Sequence, residues 1–125
     1  MKLEQQVCSL ELAKKLKDLG VKYESYFISC PVGPYWIIEE NSGGFYDSCV
    51  PVFTSSELGE MLPQKVGDNY HEIETTKSCG KWICRVINVV SGKADQYRTF
   101  WDEESEADAR AKMLCFLIEN DMMKP

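Results

Sequence analysis

The sequence WDEESEADARAKMLCFLIEN, residues 101–120, carries the strongest local signals in the chain and predicts a terminal helix that covers the core. Ser105 is a good N-cap residue, and Asp108, three positions later, is placed to complete a capping box. Small and apolar side chains recur at helical spacing and predict one buried face: Ala107, Ala111, Leu114 and Ile118, widened by Met113 and Leu117.

Four acidic residues surround the start of this helix: Asp102, Glu103, Glu104 and Glu106. Negative charge at the positive end of the helix dipole is stabilising. We therefore interpret the run as a solvated surface that complements the dipole, rather than as a metal site. The chain has no Asp-x-Asp-x-Asp-Gly loop, so an EF-hand is not predicted.

The composition predicts one folded domain that spans residues 1–125. The chain is 44% hydrophobic and 11% aromatic, which is typical of a globular protein. Its net charge of −6 argues against a general attraction to nucleic-acid backbone or anionic lipid. The first fifteen residues lack an apolar signal-peptide core, and no apolar run approaches the roughly 18 residues of a membrane span. We expect a cytoplasmic protein with no membrane segment.

The six cysteines are expected to be free thiols: Cys8, Cys30, Cys49, Cys79, Cys84 and Cys115. A reducing cytoplasm disfavours disulfides, even though the count is even. Cys84 lies in a probable strand and Cys115 in the terminal helix, where cysteine usually behaves as a small hydrophobic residue.

The order of elements predicts an α+β fold, a single antiparallel sheet of about five to six strands with three helices, in the order α-β-β-(β)-α-β-β-β-α. The first helix covers residues 9–19, and a capping box of Thr54 and Glu57 opens a short second helix that Pro63 ends. Six segments that alternate or are continuously apolar are predicted to be strands: residues 23–30, 35–39, the short Phe45-Tyr46-Asp47, 70–77, 81–90 and 96–101. Residues 50–53 are expected to be extended, and Pro51 fits only an edge or a crossover. The apolar strand WICRVINVV, residues 82–90, is expected at the centre of the sheet.

A metal site has weak candidates in Cys79 and Cys84, which are spaced C-x4-C, with Cys30, Cys49 and His71 as further ligands. Structural zinc usually shows two tight ligand pairs, and this chain offers one loose pair at most. We therefore expect no metal and no other cofactor.

No pattern in the sequence predicts an enzyme. His71 is the only histidine, so any Ser–His or Cys–His pair must use it. The chain has no Gly-x-Ser-x-Gly, Gly-x-Gly-x-x-Gly or Walker-type motif.

Two binding functions remain. One is single-stranded nucleic-acid binding by an aromatic and basic sheet face, although the acidic net charge weighs against it. The other, which we favour, is protein binding, because the chain is rich in the aromatic residues common at interfaces: Trp36, Trp82, Trp101, Tyr35, Tyr46 and Tyr97. The candidate binding residues for the two functions together are Trp36, Trp82, Arg85, Tyr97, Arg98 and Trp101.

Three segments of the chain resemble a group of small uncharacterised proteins from phage and prophage regions of gut bacteria. They are residues 1–25 (MKLEQQVCSLELAKKLKDLGVKYES), 56–63 (SELGEMLP) and 106–120 (EADARAKMLCFLIEN). The resemblance covers the helices well and the strands poorly, about half of the chain. It implies a phage-type protein in a bacterial cytoplasm, where a host protein is the expected partner. It implies no activity and assigns no site residue.

Overall fold

A computed structural model of the chain describes residues 2–43, 48–102 and 105–125. Within these ranges four helices are present, Leu3–Gln6 (α1), Leu10–Asp18 (α2), Ser55–Met61 (α3) and Glu106–Glu119 (α4). The strands are Phe27–Val32 (β1), Tyr35–Glu40 (β2), Val50–Pro51 (β3), His71–Ser78 (β4), Lys81–Asn88 (β5) and Ala94–Asp102 (β6). The short strand predicted at Phe45-Tyr46-Asp47 lies outside the described residues.

The α+β class is correct, but the prediction of a single sheet is wrong. The strands form two three-stranded antiparallel sheets, one in the order β2-β1-β3 and one in the order β4-β5-β6. The count of three helices is also wrong, because the described chain begins with the additional short helix α1. Side-chain alternation shows that a segment is a strand but not which strand it pairs with, so the sequence pattern does not separate one sheet from two.

Helix α4 is buried on two sides, which corrects the prediction of a single buried face. One side carries Ala107, Ala111 and Leu114 into a core cluster that contains Leu16 and Leu58 of α2 and α3. A second cluster forms between α4 and the β4-β5-β6 sheet, and its α4 members are Ala109, Met113 and Leu117. One sheet covers only one side of a helix, so the second side of α4 is covered by α2, α3 and the segment around β3.

The ends of α2 and α3 follow the sequence rules. The Ser9 hydroxyl caps α2 by accepting a hydrogen bond from the Leu12 N–H at 3.3 Å. At the other end Gly20 has φ +94°, and the Val21 N–H donates to the Leu16 carbonyl at 3.1 Å, as in a Schellman motif. The capping box of α3 is confirmed, because the Glu57 carboxylate accepts from the Thr54 N–H at 2.9 Å.

The three carboxy-terminal strands form the predicted meander, with β5 in the middle. Cys79 and Gly80 connect β4 to β5, and both have positive φ, 51° and 77°. Such a two-residue turn matches the twist of antiparallel strands. It leaves Cys79 exposed. In the described parts of the chain, no helix is long and apolar enough to span a membrane.

The prediction of six free thiols is wrong, because Cys30 and Cys49 form a disulfide. Pairing of β1 with β3 places Ser29 opposite Val50, so the next pair along the ladder is Cys30 and Cys49. Their Cα atoms are 4.3 Å apart. Neighbouring Cα atoms of a non-hydrogen-bonded antiparallel pair lie about 4.5 Å apart, a distance that suits a disulfide. The expectation of free thiols rested on a reducing cytoplasm and took no account of this strand pairing.

Truncation on either side of α4 tests whether both sides support the fold. We expect Met113→Ala and Leu114→Ala each to lower the free energy of unfolding by about 2–5 kcal/mol, because each leaves a cavity in a different cluster. Urea titration followed by circular dichroism measures the change. Glu119→Ala, at an exposed position of the same helix, is the control, and loss of its exposed ion pair with Lys15 should cost no more than about 1 kcal/mol. A loss confined to one of the two core variants would contradict two-sided burial.

Removal of the disulfide tests the pairing of β1 with β3. Cys30→Ser together with Cys49→Ser is expected to lower the free energy of unfolding by about 3 kcal/mol, because the loop between the two positions is no longer closed in the unfolded chain. Cys79→Ser is the control, since this thiol is free and exposed. Thiol titration of the oxidised, denatured protein should find four reactive groups. Six reactive groups before reduction would contradict the disulfide.

Candidate functional site

The predicted aromatic and basic face is not assembled, because its residues lie on different surfaces. Trp82 packs against the cluster between α4 and the sheet. Arg85 is three positions further along β5 and therefore points to the opposite face of the sheet. Trp101 lies opposite Ile83, on the same outer face as Arg85. Trp36 belongs to the other sheet.

Both candidate arginines already have carboxylate partners. The Arg85 Nε lies 2.8 Å from the Glu74 Oε2 across the β4–β5 pair. The Arg98 Nε donates to the Asp95 Oδ2 at 2.7 Å, and this hydrogen bond lowers the pKa of the Asp95 carboxyl. These pairs neutralise the positive charges that a nucleic-acid backbone would need.

Tyr97 and Trp101 are exposed aromatic residues on β6. Trp101 borders a cleft of about 500 Å³ between α1 and the start of α4, together with Asp102, Asp108 and Lys112. The polar groups in this cleft are engaged in contacts within the protein. The Lys112 Nζ donates to the Trp101 carbonyl at 2.9 Å and lies 3.2 Å from the Asp102 carboxylate.

Asp108 does not complete the predicted capping box. The Ser105 hydroxyl accepts from the Asp108 N–H at 3.1 Å, but the Ser105 N–H donates to Asp102 instead. The Asp108 carboxylate reaches across to α2 and accepts from the Ser9 N–H at 2.6 Å. Burial is the largest influence on this carboxyl and raises its pKa.

The candidate metal ligands are not brought together. Cys84 is buried, which raises the pKa of its thiol to about 11, and its sulfur accepts from the Thr75 hydroxyl. Cys30 and Cys49 are joined to each other, and the His71 Nδ1 lies 2.9 Å from the Asp68 carboxylate. Among the residues that the structure describes, no group of three or more Cys, His, Asp or Glu side chains is placed to hold a metal ion.

An apolar surface that sequence reasoning missed is the outer side of the β2-β1-β3 sheet. We call it the hairpin face and define it by the outward-facing residues Ile28, Cys30, Val32, Tyr35, Ile37 and Pro51, which share one side by strand register. Val32, Tyr35 and Ile37 are 53%, 72% and 46% exposed. The opposite side of the same sheet carries Phe27 and Ile38 into the core.

The base of this hairpin is held by the Glu57 carboxylate of α3. It accepts from the Ser25 hydroxyl at 2.9 Å and from the Tyr26 N–H at 3.2 Å, immediately before β1. The buried Ser25 hydroxyl in turn accepts from the Phe27 N–H at 3.1 Å. The carboxylate that caps α3 therefore also sets the direction in which β1 leaves the core.

Trp36 is the one predicted binding residue on this hairpin, and it lies on the side opposite the hairpin face. The Lys14 ammonium of α2 lies 4.3 Å from the centroid of its ring, which is a cation–π contact. The side chain of Trp36, in the edge strand β2, remains exposed.

The segment YWIIEE of β2 contained the signal for this surface. Its apolar residues are consecutive, so a strand there presents apolar side chains on both of its sides. A central strand buries both sides, whereas β2 is at the edge of a sheet that the described helices cover on one side only. The position of β2 in the sheet, rather than its composition, leaves its apolar side chains exposed.

Replacement of Asp108 tests the cost of its burial. A raised folded-state pKa means that this carboxyl favours folding at low pH, and the contribution is lost as the pH rises from about 3.8 through the raised pKa. Asp108→Asn still accepts from the Ser9 N–H but does not ionise. We therefore expect its unfolding free energy, relative to wild type, to increase between pH 4 and pH 7 in urea titrations.

Asp18→Asn is the matched control, because it removes the same charge from an exposed position on α2. It corrects for the general effect of lowering the net negative charge. A relative stability of Asp108→Asn that stays constant or falls with pH, after this correction, would contradict the burial of the Asp108 charge.

Comparison with known proteins identifies no relative. The sequence matches no family model and no curated protein. The fold matches no solved structure.

Proposed function

We propose that the protein is a non-enzymatic protein-binding module that receives its partner on the hairpin face. The observation that carries the proposal is the exposure of Val32, Tyr35 and Ile37 side by side on a sheet whose other side carries Phe27 and Ile38 into the core. Contiguous apolar side chains on a surface are typical of interaction sites. A host protein, which the phage-type resemblance implies, stays a prediction.

The construction of the hairpin favours binding with little rearrangement. The disulfide joins β1 to the segment before β3, and Glu57 holds the start of β1. A surface that is ordered before binding loses less conformational entropy when a partner docks. The partner therefore meets a surface whose backbone is already in place.

The charge at the border of the hairpin face predicts the charge of the partner's surface. Glu39 lies on the same side of β2 as Ile37, whereas Glu40 points to the opposite side. Glu39 therefore places one carboxylate at the border of the apolar centre. A complementary partner presents an apolar patch with Lys or Arg at its border, because opposite charges across an interface raise the association rate and exclude wrong partners.

The alternative, single-stranded nucleic-acid binding, is supported less well. It requires Trp82, Arg85 and Arg98 on a common face, whereas Trp82 packs toward α4 and both arginines pair with carboxylates. The protein-binding proposal needs no rearrangement of these contacts.

Substitution on the hairpin face tests the proposal. Tagged wild-type protein is used to capture partners from a bacterial lysate with a high-salt wash, and the retained protein is identified by mass spectrometry. Val32→Asp is expected to weaken binding of that protein by about tenfold or more, because a carboxylate replaces an apolar contact. Titration of the purified partner by calorimetry measures the change.

Val90→Asp is the matched control, because Val90 is 76% exposed in the turn between β5 and β6, on the other sheet. It makes the same chemical change away from the hairpin face and should retain the partner. Equal retention by both variants, or the absence of any salt-resistant partner, would overturn the proposal.

A further inference from the structure

We propose that two copies of the chain pair through the outer edges of their β2 strands, so that two three-stranded sheets become one six-stranded antiparallel sheet. The proposal is separate from the binding of a different protein, because it rests on the backbone groups at the edge of β2, although Tyr35 and Ile37 belong to both surfaces. In such a dimer the two hairpin faces lie side by side on the same side of the joined sheet.

The register of the hairpin leaves backbone groups of β2 unpaired within the described residues. The Asn41 N–H donates to the Tyr26 carbonyl at 2.8 Å, which continues the β1–β2 ladder beyond Glu40. Antiparallel bonding alternates along a strand, so Tyr35, Ile37 and Glu39 direct their N–H and C=O groups toward β1. The backbone groups of Trp36, Ile38 and Glu40 therefore point away from the sheet.

Each of the other three sheet edges is short, irregular or partly covered, whereas β2 is regular along its length. The first residues of the β4 edge are covered by a bridge between Lys65 and Glu72. The pairing of β6 with β5 shifts its register between Arg85 and Ile87, so the edge of β6 is irregular. The edge strand β3 has two residues, one of them Pro51. Short strands, bulges, prolines and covering segments are the devices that prevent edge pairing.

Within the described residues, strand β2 carries none of these devices. It has six residues, YWIIEE, without proline or lysine, and its pairing with β1 runs without a register shift. A regular and exposed edge of this length is a template for another strand.

The sequence of β2 is complementary to itself in the antiparallel direction. Its first half is aromatic and apolar, and its second half ends in Glu39 and Glu40. With the two-fold axis at Ile37, Ile37 meets Ile37 of the second copy, Trp36 meets Ile38, and Tyr35 meets Glu39. A parallel, in-register arrangement instead aligns the glutamates of the two copies, and like charges side by side are destabilising.

Lys14 adds charge complementarity to this register. Its ammonium lies over the Trp36 ring. When Trp36 is opposite Ile38 of the second copy, Glu40 of that copy is the diagonal neighbour on the same side of the sheet, a position within reach of long side chains. The two-fold symmetry repeats this pairing of opposite charges, so each dimer contains it twice.

The test uses sedimentation equilibrium of the full chain from about 1 µM to 1 mM. Wild-type protein is expected to form a dimer whose affinity increases with salt, because each copy carries a net charge of −6 and salt screens their repulsion. Ile37→Lys and Ile37→Glu should each be monomeric, since each places two like charges at the axis. An equimolar mixture of the two variants should form a one-to-one heterodimer.

Val32→Lys is the matched control, because it makes the same kind of change on the hairpin face but on β1, away from the edge. It should dimerise as wild type does. A monomeric wild type at every concentration overturns the proposal without relying on any variant. An Ile37→Lys dimer, or a variant mixture that stays monomeric, also overturns it. The capture experiment with Val32→Asp is read independently of these results.

Discussion

The burial of α4 on two sides is the constraint on which the rest of the structure depends. A helix that presents apolar residues to two opposite neighbours needs a layer on each side, and the chain supplies the β4-β5-β6 sheet on one side and α2, α3 and β3 on the other. The β1–β2 hairpin is attached to the second layer through the side that carries Phe27 and Ile38. Its other side is left exposed because the described helices cover this sheet on one side only.

Polar contacts between the elements fix the positions of these layers relative to one another. The Arg110 Nη1 of α4 donates to the Ser55 carbonyl at 2.7 Å, and its Nε donates to the Thr75 hydroxyl at 3.1 Å. This single side chain therefore joins α4 to the start of α3 and to β4. Glu57 and Asp108 act in the same way for β1 and α2. Charge-assisted hydrogen bonds are stronger and more directional than apolar contacts, so they fix the angles at which the elements meet.

Local features of the fold were predictable from the sequence, whereas long-range ones were not. The capping box of Thr54 and Glu57 acts within one turn of a helix, and it was found where the pattern placed it. Strand pairing depends on contacts distant in sequence. The pairing that opposes Cys30 and Cys49, and with it the disulfide, could not be read from spacing. The second side of α4 was missed because Met113 and Leu117 were assigned to the same buried face as Ala107, Ala111 and Leu114, although the two groups pack against different layers.

The candidate site was predictable only in its residue types. Aromatic residues were expected at an interface, and Trp36 and Tyr35 do lie on an exposed hairpin. Trp82 was expected on the same surface as Arg85, but alternation along β5 separates them. The exposed Ile37 was not singled out, since an apolar residue in a strand is usually buried, and Val32 was expected in the connection between the strands 23–30 and 35–39. The uncovered side of the β2-β1-β3 sheet, rather than the residue type, makes both of them surface residues.

Residue-resolved amide hydrogen exchange, measured by NMR at two protein concentrations, tests most directly whether β2 is an open edge beside a fully covered core. We predict that the α4 amides exchange most slowly at both concentrations. In dilute protein, Ile37 and Glu39 should be protected while Trp36, Ile38 and Glu40 exchange fast, and high concentration should slow the second set. Uniform protection along β2 in dilute protein, or fast exchange of Trp36, Ile38 and Glu40 at both concentrations, would contradict the account.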